Sequence, residues 1–317
     1  MNTRNINSEP RGDILCKGRV ILFFLLLGLL IIVFCPGMSL AKGKEISGRI
    51  IFSSSASGKW DLWIVDPKSG SINPLTDTDQ YENSPSVSPN GSEIAYVDER
   101  RRLWVMQANG SNRHEIPIPK GIYAQPSWSP NGNEIAFVRY EVIPEDQSEI
   151  WVIRRREGNW VDLERITDFP PMRLYPSYSP DGSQMAYTEF RRDKLLGAVE
   201  EIGIMDLTSR KLKLITDDAA DSFGPVWSPA GDWIAYTSNK SGNYDIWIMS
   251  VKDRKHHQLT RDTAYDGEPA WAPDGNELAF VSTRTGSREI WLVSMTGDHE
   301  RQLTRMGNGC KDPFWVK

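Results

Sequence analysis

The body of this chain has little with which to staple itself or to catalyse. Of three cysteines, Cys16 and Cys35 fall within the first 41 residues and leave Cys310 alone, so an internal disulfide framework is excluded there. The four histidines, His114, the adjacent His256 and His257, and His299, are scattered over three units, which argues against a zinc site built on imidazoles. No G-x-S-x-G nucleophile elbow occurs, and with it goes the simplest route to serine hydrolase chemistry. A basic stripe is also missing: beyond residue 41 there are 33 Lys and Arg against 40 Asp and Glu. Without clustered cations the phosphate neutralisation that drives nucleic-acid binding is unavailable. At 39% apolar and 10% aromatic residues, the chain nonetheless carries enough apolar surface for a large core.

Long apolar runs are confined to one place, residues 20–35, VILFFLLLGLLIIVFC, preceded by Lys17 and Arg19. A basic flank, a short apolar stretch and the small residues Ser39 and Ala41 mark residues 1–41 as an export signal. At sixteen residues the run is slightly shorter than the roughly 17 to 25 that span a bilayer. Two fates therefore stay open, a cleaved signal peptide or a retained N-terminal anchor helix, which would be the only membrane contact. Either way the body is expected outside the cytoplasm, in the periplasm or cell envelope. Residues 42–47 read as a short linker.

What is abundant is repetition. Residues 84–97 read SPSVSPNGSEIAYV, residues 125–138 read QPSWSPNGNEIAFV, and residues 268–282 read EPAWAPDGNELAFVS. The proline before the aromatic recurs as Pro85, Pro126, Pro176, Pro225, Pro269 and Pro313, at spacings of 41, 50, 49, 44 and 44. A second proline follows four residues later in five of the units, opening a Pro-Asn-Gly, Pro-Asp-Gly or Pro-Ala-Gly turn. Such a turn reverses the chain between two extended runs. Apolar runs such as EIAYV and ELAFVS follow it, then a third run carrying Trp63, Trp104, Trp151, Trp247 or Trp291, with Gly203 as the deviant. NPLT, ERIT, LKLIT, HQLT and RQLT close most units. Four short strands repeated every 45 residues or so describe propeller blades. The tryptophans in shared register are expected to pack sheet on sheet, whereas Trp60, Trp160 and Trp233 lie outside it and are candidates for surface contact.

The chain enters this pattern at a second strand, GRIIFSSSASGKWDLWIVD, and leaves it after a first strand, DPFWVK. Joining the two ends makes one complete blade and hides the sheet edges that an open ring would expose. The expectation is an all-β, six-bladed propeller over residues 48–317, closed by N- and C-terminal strands in one blade.

These units resemble the TolB-type propeller repeat, P-x-W-S-P-D-G-x-x-I-A-F followed by I-W and L-T, over residues 48–317. The resemblance implies a WD-like six-bladed ring, here lacking the N-terminal α/β domain that TolB carries before its propeller. Fold of this kind does not fix function.

Candidate site residues lie in the segments leading into the first strands: Glu82, Gln125, Arg173, Tyr175, Asp221, Asp266, Glu268 and Asp312. In a propeller these connections converge on one funnel, and pooled carboxylates there would attract cations or basic partners. The sequence reading is thus a non-enzymatic binding or scaffold module, expected as a monomer, presenting this funnel to a protein or peptide of the cell envelope. The alternative is a lactonase-type hydrolase with Ca²⁺ in the central channel, which requires three or four of those oxygens to converge on one point at about 2.3 to 2.6 Å.

Overall fold

A computed structural model of the protein describes residues 48–141, 147–193 and 197–317. The expected signal or anchor segment lies outside the described residues. The described residues form six four-stranded antiparallel sheets, five of them in simple sequential order. We number the blades by their inner strands: Glu82–Val87, Ile122–Trp128, Met172–Tyr178, Ser222–Trp227, Asp266–Trp271 and, for blade 6, Cys310–Trp315.

Blade 6 is the composite one. Its inner strand Cys310–Trp315 pairs with Ile50–Ser54, which continues through Asp61–Val65 to Ile72–Pro74. The Gly48 amide donates to the Val316 carbonyl at 2.9 Å, and the Val316 amide donates to the Arg49 carbonyl at 2.8 Å. With Cys310–Trp315 on one side and Asp61–Val65 on the other, Ile50–Ser54 presents no open edge.

Each repeat residue has a definable task. In the turn after the inner strand, the Ser88, Ser129, Ser179 and Ser228 hydroxyls accept the amides of Glu93, Glu134, Gln184 and Trp233 at 2.9 to 3.0 Å. These bonds pin the start of the second strand to the end of the first. The closing Leu-Thr or Ile-Thr carries a second clasp: the hydroxyls of Thr76, Thr167, Thr216, Thr260 and Thr304 accept the amides of Leu62, Ile150, Ile202, Ile246 and Ile290 at 2.8 to 2.9 Å. All five threonines are buried, so each satisfies an amide that water cannot reach.

The core lies between blades rather than within them. Ile51, Leu62 and Ile64 of blade 6, for instance, pack on Val87, Ile94, Tyr96 and Met106 of blade 1. Each such fully buried aliphatic side chain contributes roughly 1.5 to 3 kcal/mol. The third-strand tryptophans sit half-buried against these clusters, and four carry a cation over the ring: Arg102 on Trp104, Arg139 on Trp151, Lys240 on Trp247 and Arg284 on Trp291, at 3.9 to 5.2 Å. At the deviant Gly203 the ring of Tyr187 lies where a side chain would go, 2.3 Å from the position of a Cβ. Of the out-of-register tryptophans, Trp160 is buried against Trp128 rather than free for surface contact.

Candidate functional site at the channel mouth

The inner strands run side by side around the channel, so their N-terminal ends meet at one mouth. Each carries a bulge at the marker proline, where the register with the second strand shifts: between Asn83 and Ser86, Ala124 and Ser127, Leu174 and Ser177, Phe223 and Val226, and Gly267 and Ala270, with the matching shift opposite Lys311 and Phe314. A bulge leaves one residue out of the ladder, and proline, which has no amide to donate, suits that place.

The residue just before each proline takes a left-handed conformation. Ser84, Gln125, Tyr175, Gly224, Glu268 and Asp312 have φ between 52° and 64°. For the five that are not glycine this costs roughly 1 to 2 kcal/mol each. All six line a single cavity of about 660 Å³. Their amides are tied around the ring. Ser84 donates to Asp312 Oδ2 at 3.1 Å, Asp312 to Glu268 Oε2 at 2.7 Å, and Tyr175 to Gln125 Oε1 at 2.8 Å. Where the preceding blade offers no acceptor at this position, a second-strand threonine replaces it: Gly224 donates to Thr188 Oγ1 at 3.0 Å and Glu268 to Thr237 Oγ1 at 3.1 Å.

Four of the eight residues expected at the funnel therefore line it: Gln125, Tyr175, Glu268 and Asp312. Asp221 stands beside the cavity, its carboxylate accepting from the Glu200 amide, the Tyr244 hydroxyl and the Asn239 side-chain amide at 3.2 to 3.3 Å. The other three turn away. Glu82, Arg173 and Asp266 sit three residues before their prolines and are buried inside the blades. Glu82 accepts from Arg113 at 2.9 Å, Asp266 from Arg284 at 2.6 Å, and Arg173 donates to Glu189 at 3.1 Å and to the Asp168 carbonyl at 2.6 Å. Burial pushes the Asp266 carboxyl up to about 6. These groups hold the blades together and are out of reach of a ligand in the mouth.

Five further residues line the cavity: Glu200, Phe223, Tyr244, Tyr265 and Arg288. With Tyr175, the aromatics form an arc across blades 3 to 5, with neighbouring ring centroids 6.2, 5.6 and 5.9 Å apart in the order Tyr175, Phe223, Tyr244, Tyr265. Gly267 makes room for the Tyr265 phenol, which would lie 2.2 Å from a Cβ there. Arg288 stacks on Tyr265 at 5.2 Å and reaches Glu268 Oε1 at 3.3 Å. Burial, aided by the nearby Asp221 charge, pushes the Glu200 carboxyl up to about 7. Burial and the Asp312 charge likewise raise Glu268. Among the described residues no three His, Cys, Asp or Glu side chains are placed to hold a metal ion. The channel continues past Ser86, Ser127, Ser177, Val226 and Phe314 into a second cavity of about 190 Å³ at the opposite end.

Comparison with known proteins agrees with this architecture. The solved TolB of Acinetobacter baumannii superposes with a TM-score of 0.73 at 21% identity, covering 86% of this chain and 67% of that one. In sequence, TolB of Francisella tularensis, a "Tol-Pal system protein", is 26% identical over 62% of this chain and 44% of its own length. An uncharacterised peptidase of Bacillus subtilis, YuxL, is 25% identical over 56% of this chain and only 25% of its own length. The chain thus spans less than half the length of these two relatives. The model of the TolB β-propeller domain matches residues 99–244 and 162–317, and together with the six-bladed ring this places the chain in the TolB β-propeller family.

Proposed function

We propose that this chain is a non-enzymatic binding module whose funnel face holds a protein or peptide partner. The observation that carries the reading is the ring of six left-handed residues: five strained, non-glycine side chains are aimed into one cavity. Strain of this kind persists where the surrounding structure over-determines it, often at sites of function. A concave site with a few convergent polar groups and an aromatic wall is also the usual form of a binding site. The Tol-Pal name of the TolB relatives supports work alongside other proteins.

The test is selection of random dodecapeptides on the full chain, followed by measurement on a variant plugged by Ser84→Trp and Gly224→Trp. Selected peptides should lose at least tenfold in affinity for the plugged protein. Peptides that bind it equally well would place the binding surface elsewhere and overturn the reading.

The proposal includes export, on the strength of residues 1–41. Alkaline phosphatase needs disulfides that form outside a reducing cytoplasm. Fused after residue 45 it should be active, and an intact but inactive fusion would refute export.

A further inference from the structure

We propose that the pocket between the aromatic arc and Glu200 receives the ammonium group of a lysine side chain presented by a peptide partner, through the gap that Gly224 leaves in the ring. This inference rests on the funnel reading and names the chemistry it would recognise.

Gly224 is a missing tooth. The five sister positions carry side chains at nearly the same φ, while a Cβ built on Gly224 would meet no heavy atom within 4 Å. The gap opens beside Tyr175 and Phe223, at the head of the arc. Cations are attracted to the negative faces of such rings.

The charges around the cavity select a cation and point to one carboxylate. Its lining holds three carboxylates, Glu200, Glu268 and Asp312, and one guanidinium, Arg288. Glu268 is engaged by the Asp312 amide and by Arg288, Asp312 by the Ser84 amide, and nearby Asp221 by Tyr244 and Asn239. Glu200 differs, for among the described residues its carboxylate makes no hydrogen bond or ion pair. An arriving ammonium would give it one. Phe223, Val226 and Phe314 offer apolar wall for the methylene stem, in the way lysine covers apolar surface while its head stays polar.

Lysine fits better than arginine. The protein's own Arg288 already lies on Tyr265 with a hydrogen bond to Glu268. The remaining rings are inclined to one another by 35° and 65°. They enclose a hollow suited to a compact point charge rather than a flat fork that stacks and bonds in two places.

Ionisation of Glu200 adds a dependence on acidity. Its carboxyl titrates near 7, facing Asp221 from the entry to blade 4 and the phenols Tyr140, Tyr175 and Tyr244 from blades 2, 3 and 4. Only the deprotonated form offers a full charge, so affinity should rise between pH 6 and pH 8.

The experiment is an NMR titration of the full chain with acetyl-Gly-Gly-Lys-Gly-Gly-amide and its norleucine and arginine counterparts. The lysine peptide should bind at least tenfold tighter than the norleucine peptide and at least threefold tighter than the arginine peptide. Its affinity should fall at least fivefold with Glu200→Gln, and also with Gly224→Gln, whose backbone the sister blades show to be compatible with a side chain. Equal binding of either counterpart, no binding of any of the three, or indifference to both variants would overturn the proposal. Library peptides that lose affinity for the plugged protein yet need no lysine would overturn it while leaving the funnel reading intact. If they ignore the plug, that reading falls instead.

Discussion

The two mouths of the channel are built from the same six strands and could hardly differ more. At the far end the lining repeats: Ser88, Ser179 and Ser228 with Pro89, Pro130, Pro180 and Pro229, backed by Trp128, Trp227, Trp271 and Trp315. At the near end the equivalent positions are Ser84, Gln125, Tyr175, Gly224, Glu268 and Asp312, six different residues on one shared backbone conformation. Where the blades agree, the residue answers to the ring. Where they differ on an unchanged backbone, packing has released the side chain for other work. Only about three residues along each inner strand separate the two regimes.

The largest expected break in this contrast comes from the far side of the proline. Trp271 is buried and its indole N–H donates to the Val226 carbonyl of the preceding blade at 3.1 Å. Trp271→Ala should cost about 3 to 5 kcal/mol, read as a fall in the midpoint of urea unfolding. A loss below about 1 kcal/mol would show that the repeat tryptophan is not structural.

The threonine clasp comes next. Thr260→Val strands the buried Ile246 amide and removes a bond to Asp245 Oδ1, which should cost about 1 to 3 kcal/mol. Chemical denaturation of the variant beside the parent checks it, and a neutral result would reduce the Leu-Thr repeat to a turn preference.

At the near mouth the sign should reverse. The Glu200 carboxyl is raised from 4.5 to about 7. Between those values the native state keeps a proton that the unfolded chain has released, so stability falls as pH rises through this window. Above it, Glu200→Gln should stabilise the fold by about 2 kcal/mol, a figure reduced for partial solvent screening. Below pH 4.5 the gain should vanish. Thermal unfolding of both proteins at pH 4 and pH 8 measures the difference, and a gain independent of pH would dissociate it from ionisation.

The smallest effect is expected where the mouth is free to vary. Ser84→Gln installs the side chain of its sister Gln125 on a backbone that already fits it, and should change stability by no more than about 0.5 kcal/mol. A larger loss, seen in the same denaturation assay, would mean that the near mouth is as constrained as the far one.

Periodicity made the blade count and the composite closure legible in the sequence, because Pro85 through Pro313 and the split blade at the two ends recur in register. The mouth was only half legible. Glu82, Arg173 and Asp266 were expected beside Gln125, Tyr175, Glu268 and Asp312 because all precede an inner strand. The bulge at each proline sorts them, sending the residue before it to the channel and the one two places earlier into the blade. Nothing in an alternation of apolar and polar residues announces that interruption. Glu200, Tyr244 and Arg288 share one register, three residues before the third-strand Gly203, Trp247 and Trp291, but the residue type changes from blade to blade there and periodicity alone does not mark it. One trace was available for Glu200: blade 3 is among the longer units, and its second and third strands, Gln184–Asp193 and Gly197–Asp206, run ten residues each. Gly203 had a partner signal too, since the aromatic opposite it, Tyr187, fills the space a tryptophan would take.

The composite blade also sets the timetable of folding. Trp315 bonds to the Gly48 carbonyl across 267 residues of chain, so among the described strands the first to leave the ribosome waits for the last. Contacts so distant in sequence form slowly, because the entropy of closing the loop must be met before any contact repays it. Until then Ile50–Ser54 offers an unpaired edge to any neighbouring strand. A helper that covers this edge during synthesis should therefore raise the yield of folded protein without changing the stability of the closed ring.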